Sequence, residues 1–385
     1  DTQEYHICQC SIDTVSHEVL LKRMDTMYGI REEALAWLCS YFVDRSQSVI
    51  IEGIMSTSKP LKTGLPQGSL LGPFAFPSYS APLFNIARQH GVEMHMYADD
   101  TQLYLPFDPE DYHTAIIKMQ DCLTCIRSWM SQNQLKLNDS KTEFMVIGKS
   151  HALRKKLPPE REITIGDECI VASDTARNIG VVLDSQLDME AQINSICRAS
   201  YMHLHNIGKI RHFLTTEAIS TLIHAFITSK LDNCNSLLSG CSGYLLDRLQ
   251  MVHHCAARLI SRKKKHDHIT PVLVELHWLP VEERIKYKIC LFVFKCLDQS
   301  APKYLKDLVT PKRLCDKSLR SDEQNLLDKF IVTQKRTGER SFAFNAAKFW
   351  NMLPLKLRLT GGLEPFKSDL KTHLFQNVVS YQDHL

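Results

Sequence analysis

Apolar and polar residues alternate with a period of two on either side of position 98. Val92, Met94 and Met96 alternate with Glu93, His95 and Tyr97, and Thr101, Leu103 and Leu105 alternate with Gln102 and Tyr104. Two such runs, interrupted by Ala98-Asp99-Asp100, predict a β-hairpin with two adjacent carboxylates at its tip. Elsewhere the period is helical. Residues 18–42 predict two helices parted at Gly29, the first on Val19, Leu20, Leu21 and Met24, the second on Leu35, Leu38 and Phe42. Residues 111–130 predict an amphipathic helix with Ile116, Met119, Leu123, Ile126 and Met130 on one stripe. Strands are expected over 46–53, 56–61, 142–147, 162–165 and 179–183. From Met189 onward the pattern is mostly helical, with proline joints at Pro271, Pro280, Pro302 and Pro354.

Two anions side by side repel. A divalent cation is one reason to keep them together, because magnesium is bound by carboxylate oxygens. The alternative is plain turn chemistry, which Asp also favours. About thirty residues upstream, Gly64-Leu65-Pro66-Gln67-Gly68-Ser69-Leu70-Leu71-Gly72-Pro73 forms a loop in which three glycines allow close backbone approach. Pro73 suits the first turn of a following helix.

The composition changes this picture little. With 385 residues, 44% hydrophobic and 23% charged, the chain is long enough for two or three domains of ordinary globular character. A net charge of +3 permits a nucleic-acid partner without requiring one. The basic residues cluster at Arg154-Lys155-Lys156 and at Arg258 followed by Arg262-Lys263-Lys264-Lys265, where a solvated face is the alternative account. Thirteen cysteines without framework spacing, and no secretory leader, lead us to expect free thiols inside the cell, in nucleus or cytoplasm, in a protein that is not secreted. Cys8 and Cys10, Cys122 and Cys125, and Cys234 and Cys241 with His253, His254 and Cys255 are candidate metal ligands; packing on a helix face and the lack of standard zinc spacing oppose this. No apolar run reaches the roughly 18 residues of a transmembrane helix, so no membrane partner is expected.

The PQGS loop followed by Tyr97-Ala98-Asp99-Asp100 at this spacing resembles reverse transcriptases, specifically those of LINE-type (non-LTR) retrotransposons of the jockey-like group. The likeness extends along nearly the whole chain. Asp13-Thr14-Val15 with His17 resembles the end of the family's first block, Gly64–Pro73 its second and Tyr97–Tyr104 its third. Leu135-Lys136-Leu137-Asn138 with Lys141-Thr142-Glu143 resembles the fourth, and Asn178-Ile179-Gly180-Val181 the fifth, primer-gripping block. The segments at 229–238, 267–271 and 276–280, and Phe349-Trp350-Asn351, are also similar. The resemblance implies an α+β fold: a partial fingers and palm with the YADD hairpin over 1–148, primer-grip strands and a helical thumb over 149–230, and a mainly helical C-terminal domain over 231–385. It implies RNA-directed DNA synthesis, with RNA template, DNA primer and deoxynucleotide triphosphates as partners and Mg2+ or Mn2+ as cofactor. Asp99 and Asp100 would carry the metal, and Lys141 would stand near the outgoing phosphates as an acid, unless it is only a surface lysine. Pro66, Gln67, Gly68, Ser69, Tyr97 and Ile12 would border the nucleotide and template. Ile179, Gly180 and Val181 would grip the primer.

Three departures bear on activity. The family's first block begins with an Asp that is the remaining metal ligand, and the alignment puts Ile7 there. Loss of one anionic ligand costs several kcal/mol, and at about 1.4 kcal/mol per tenfold that is about a thousandfold or more in rate. Ile12 replaces the aromatic that bars the ribose 2′-hydroxyl. Pro77 falls inside the helix opened by Pro73, where a proline costs roughly 3 kcal/mol. The chain is therefore expected to be an impaired or inactive, N-terminally truncated polymerase. The alternatives are a non-catalytic nucleic-acid-binding or domesticated protein, and a degenerate product without a selected role.

Overall fold

The computed structural model describes residues 2–9, 14–66, 68–138, 141–166, 168–312, 325–332 and 338–380, with 2–9, 150, 154 and 377–380 described by backbone alone. The chain forms two compact units, 1–187 and 188–385.

In chain order the first unit comprises β1 (Thr2–Gln9), α1 (His17–Thr26), α2 (Glu32–Phe42), β2 (Ser46–Gln47), β3 (Ile50–Ile51), β4 (Ile54–Met55), β5 (Lys59–Pro60), α3 (Gly72–Ser80), α4 (Pro82–Gln89), β6 (Glu93–Tyr97), β7 (Asp100–Phe107), α5 (Tyr112–Gln132), β8 (Glu143–Ile147), α6 (Ser150–Lys155), β9 (Glu162–Ile165), β10 (Glu168–Val171), β11 (Thr175–Asn178) and β12 (Val181–Asp184). Four of these strands form an antiparallel sheet in the order β6-β7-β1-β8. One face carries the main core. Leu103 of β7 and Phe144 of β8 are fully buried there with Met119, Cys122 and Leu123 of α5. The buried face of α5 also takes Tyr112, Ala115, Ile126 and Met130, one shared stripe at helical spacing. Ile116 sits at its edge, half-buried.

After Glu143, strand β8 is apolar on both faces because both are covered. Phe144 and Val146 enter the main core, whereas Met145 and Ile147 pack with Ala176 in a second small cluster. The β11–β12 hairpin therefore covers the second face of the sheet. The expected strand at 179–183 begins only at Val181: Ile179 and Gly180 form the turn, with φ of 44° and 80°, and β11 precedes it. The strands expected at 46–53 and 56–61 form one interrupted hairpin, β2 pairing β5 and β3 pairing β4, with Glu52 and Gly53 at the tip.

Pro77 does not break its helix. It is exposed, and α3 runs on to Ser80, where the Ser80 hydroxyl donates to the Phe76 carbonyl at 2.8 Å. The missing N–H thus falls on the solvent side of a short helix that ends within a turn.

The first unit runs on past residue 148, and Leu153, Leu157, Ile163 and Ile165 join its main core. The two units part between Leu187 and Asp188.

The second unit is helical: α7 (Glu190–Ile210), α8 (Thr216–Ile223), α9 (Ser229–Asp232), α10 (Gly243–Ser261), α11 (Thr270–Glu275), α12 (Val281–Leu297), α13 (Lys303–Lys306), α14 (Phe342–Met352), α15 (Leu355–Arg358) and α16 (Leu363–Ser380). Pro271 lies in the first turn of α11, and Pro280, Pro302 and Pro354 immediately precede α12, α13 and α15. That is where a missing N–H costs nothing. Phe294 of α12 stacks on Phe366 of α16 at 4.4 Å, beside fully buried Trp350 of α14. Trp350 Nε1 donates to the Asn325 carbonyl at 2.8 Å, and Asn351 exchanges two 2.9 Å bonds with the Leu327 backbone. No helix among the described residues is long and apolar enough to cross a membrane.

The candidate cysteine ligands separate. Cys122 is buried, its thiol pushed up to about 12 by burial and then by Cys125, while Cys125 is exposed. Cys8 is described by backbone alone and Cys10 lies outside the described residues. Among the described residues no group of three or more His, Cys, Asp or Glu side chains could hold a metal ion.

Candidate functional site

Asp99 and Asp100 lie at the tip of the β6–β7 hairpin. Tyr97 pairs with Asp100 across a tight turn, Ala98 and Asp99, in which Ala98 has φ of 53°. Tyr97 is exposed, and Asp99 and Asp100 are half-buried. Burial and then the neighbouring Asp99 charge hold the Asp100 carboxyl above the usual range, and the Lys141 ammonium pulls it back. Lys141 is therefore close enough for its charge to be felt at Asp100. It lies at the turn feeding β8, where its N–H and the Thr142 hydroxyl both donate to the Asn138 carbonyl, at 3.1 and 3.0 Å.

Strand register assigns faces. Residue 7 of β1 pairs with Gln102 of β7 and with Glu143 of β8, and Gln9 pairs with Asp100. Paired residues share a face, as do residues two apart in one strand. Position 7 thus falls on the same face as Asp100, diagonal to it across β1 and β7. Such diagonal positions lie about 7–8 Å apart.

The β11–β12 hairpin lies over this same face and is held by those neighbours. Glu143 Oε2 accepts the Arg177 backbone N–H at 2.8 Å, and the buried Gln102 amide donates to Asn178 Oδ1. Asn178 immediately precedes Ile179 and Gly180, so the clamp ties that turn to a residue two positions from Asp100. Nothing local in the sequence marks Gln102, whose partner is 76 residues away, except its polar side chain within a strand whose other face is apolar.

The glycine loop is anchored at its start. Gly64 N donates to the Val15 carbonyl at 2.8 Å, and the His17 ring bonds the Gly64 carbonyl at 2.8 Å while packing on Phe42. Ser69 N donates to the Pro66 carbonyl at 3.2 Å, and Ser69 Oγ accepts from Gly72 N at 3.1 Å, turning the chain into α3. Gly68 has φ of 76° and open space around it. Pro66 and Ser69 are half-buried. Gln67, Ile12 and Asp13 lie outside the described residues.

Both hairpin tips place a residue with a Cβ in the left-handed region, and Ile179 is β-branched, which makes it a true outlier. The left-handed conformation costs roughly 1–2 kcal/mol for such residues. Ile179→Gly is accordingly expected to stabilise the first unit by about 1 kcal/mol. A higher urea midpoint checks this; an unchanged or lower one shows that packing of the half-exposed Ile179 side chain outweighs the strain.

Residues 12–183 match the family described as reverse transcriptase (RNA-dependent DNA polymerase). Three curated Drosophila melanogaster proteins are similar. One is described as a probable RNA-directed DNA polymerase from transposon BS, 24% identical over 219 residues, which is 56% of this chain and 23% of that protein. A second, described as a probable RNA-directed DNA polymerase from transposon X-element, is 25% identical over 161 residues, 41% of this chain and 17% of its own length. The RNA-directed DNA polymerase from mobile element jockey is 22% identical over 196 residues, 50% of this chain and 20% of its own length. The chain spans less than a quarter of each of these relatives.

Proposed function

We propose that this chain, a homologue of the reverse transcriptases of LINE-type (non-LTR) retrotransposons, carries a polymerase palm that still holds primer and RNA template but transfers nucleotides at most about a thousandth as fast as an intact site. The observation that carries this reading is the strand register. Position 7 falls diagonal to Asp100 on one face, which supports the alignment that sets Ile7 in place of the family's third carboxylate.

The donor set fits magnesium in part. Asp99 and Asp100 offer adjacent carboxylates; burial and then their mutual repulsion raise the Asp100 pKa, and a divalent ion would relieve that repulsion. Among the described residues no third carboxylate or imidazole joins them. Bound there, magnesium would supply Lewis-acid activation of a 3′-hydroxyl and charge neutralisation at phosphate. Lys141, exposed and electrostatically coupled to Asp100, is suited to hold a proton or a positive charge beside the leaving phosphates. Pro66, Gln67, Gly68 and Ser69, with Tyr97 and Ile12, would border the nucleotide and template. The open space at Gly68 supports close approach of a base or phosphate. Ile179, Gly180 and Val181 would meet the primer end, their turn kept in place by Gln102 and Glu143.

Primer extension on an RNA template with deoxynucleotides and magnesium tests the reading. The expected result is primer–template binding without measurable extension. Efficient extension that Asp99→Ala abolishes would overturn it. The intact Gly64–Ser69 anchoring favours a binding protein over a product without a role, and a cooperative unfolding transition would bear that out.

A further inference from the structure

Helices α7 and α10 of the second unit run parallel, in nearly constant register along their whole length. Tyr244 donates to Glu190 Oε1 at 3.0 Å, and Arg248 Nη2 donates to Asn194 Oδ1 at 2.5 Å. Further on, Cys255 influences the Tyr201 hydroxyl, and Leu259 Cδ1 lies 4.0 Å from where a Cβ on Gly208 would be. The two C-termini therefore end side by side, and each ends in basic residues. Lys209 and Arg211 close α7; Arg258 and Arg262 close α10, followed by three consecutive lysines, 263–265.

The negative ends of the helix dipoles account for cations in the last turns. They do not account for the three lysines, which lie beyond the helix and are exposed. The turn that carries them is ordered. Asp267 folds back to accept the Lys264 backbone N–H at 2.7 Å, and its carbonyl accepts from Arg258 at 3.4 Å. Asp267 and Glu217, in the first turn of α8, are the nearest acids in sequence, and among the described residues no ion pair neutralises any of these basic groups. Phe213, two residues beyond Arg211 at the end of α7, leaves 80% of its surface in water, its ring tilted against that of His212. A cationic surface with an exposed aromatic ring matches a strand that offers both phosphates and unpaired bases.

We infer that the joined C-terminal ends of α7 and α10 form a second nucleic-acid surface that binds single-stranded RNA. It lies outside the residues matched to the polymerase family. That the strand is RNA rests on the function proposed above. The binding itself does not, because its readout needs no nucleotide transfer.

The test is fluorescence anisotropy of the full chain with a labelled 20-nucleotide single-stranded RNA across a salt series. In the wild type, log Kd should vary linearly with log salt. The triple variant Lys263→Gln/Lys264→Gln/Lys265→Gln should reduce that slope by about 2, since each phosphate contact to a single strand contributes about 0.7. Phe213→Ala should weaken binding about tenfold and leave the slope unchanged. Lys155→Gln/Lys156→Gln, at the exposed basic run of the first unit, should leave both properties intact, which separates this surface from basic charge elsewhere on the chain. An unchanged slope in the triple variant overturns the proposal. So does a surface that prefers anionic phosphatidylserine vesicles to RNA. Single-stranded DNA that binds more tightly and is lost to the same variants overturns the assignment to RNA.

Discussion

Ile7→Asp is expected to raise magnesium-dependent primer extension about a thousandfold over the wild-type chain, equivalent to about 4 kcal/mol of transition-state stabilisation. Three geometric facts make this change more promising than any other. Residue 7 lies in the central strand β1, between β7 and β8, so the backbone that would carry the new carboxylate is held on both sides. It shares a face with Asp100 and stands diagonal to it, within reach of a shared cation. Its two register neighbours, Gln102 and Glu143, already fasten the hairpin that would present a primer end. Ile7→Asn supplies a neutral oxygen at the same place and should recover far less. In the Ile7→Asp background, Asp99→Ala or Asp100→Ala should remove the gain. A wild-type chain that extends primers within tenfold of Ile7→Asp shows that the third carboxylate is not what the site lacks.

Local pattern made the hairpin and α5 legible. Alternation around Ala98 needs only neighbours in sequence, and so does the stripe from Met119 to Met130. The glycine loop was legible because its spacing to the carboxylates is itself the signal. What escaped was decided at long range. Strand β8 is a continuous apolar run whose meaning depends on β11–β12 covering its second face. Gln102 reads as an ordinary strand residue until Asn178 meets it from 76 positions away. The Ile179-Gly180 turn looks like strand in the sequence because Ile, Val and Val all favour extended backbone, yet Gly180 permits, and the pairing of Asn178 with Val181 demands, a reversal. The division after Leu187 follows from where Leu153 and Ile163 are buried, and the charged stretch at 149–161 gives no hint of that.

The second unit should lose stability steeply in acid through one imidazole. His253 of α10 is fully buried and stacked on Trp278 at 5.1 Å, and neither ring nitrogen has a hydrogen-bond partner among the described residues. Burial, then the Arg284, His254 and His224 charges, lower its pKa from 6.5 to about 3. Folded His253 is therefore neutral where the unfolded imidazole takes up a proton, so the unfolded state gains protons as pH falls below about 6.5. The contribution is fully present above 6.5 and declines by about 1.4 kcal/mol per pH unit toward pH 3. His254, whose pKa burial also lowers, acts in the same direction. Urea midpoints of the wild type should thus fall between pH 6.5 and 4.5 by the equivalent of about 2–3 kcal/mol. His253→Leu nearly conserves volume and leaves no partner orphaned, because the ring nitrogens have none. It should match or exceed the wild type at pH 7.5, and its advantage should grow with each unit of acid. Parallel pH profiles for the two proteins would mean that the buried imidazole is already protonated, or that it gains a partner as the helices relax.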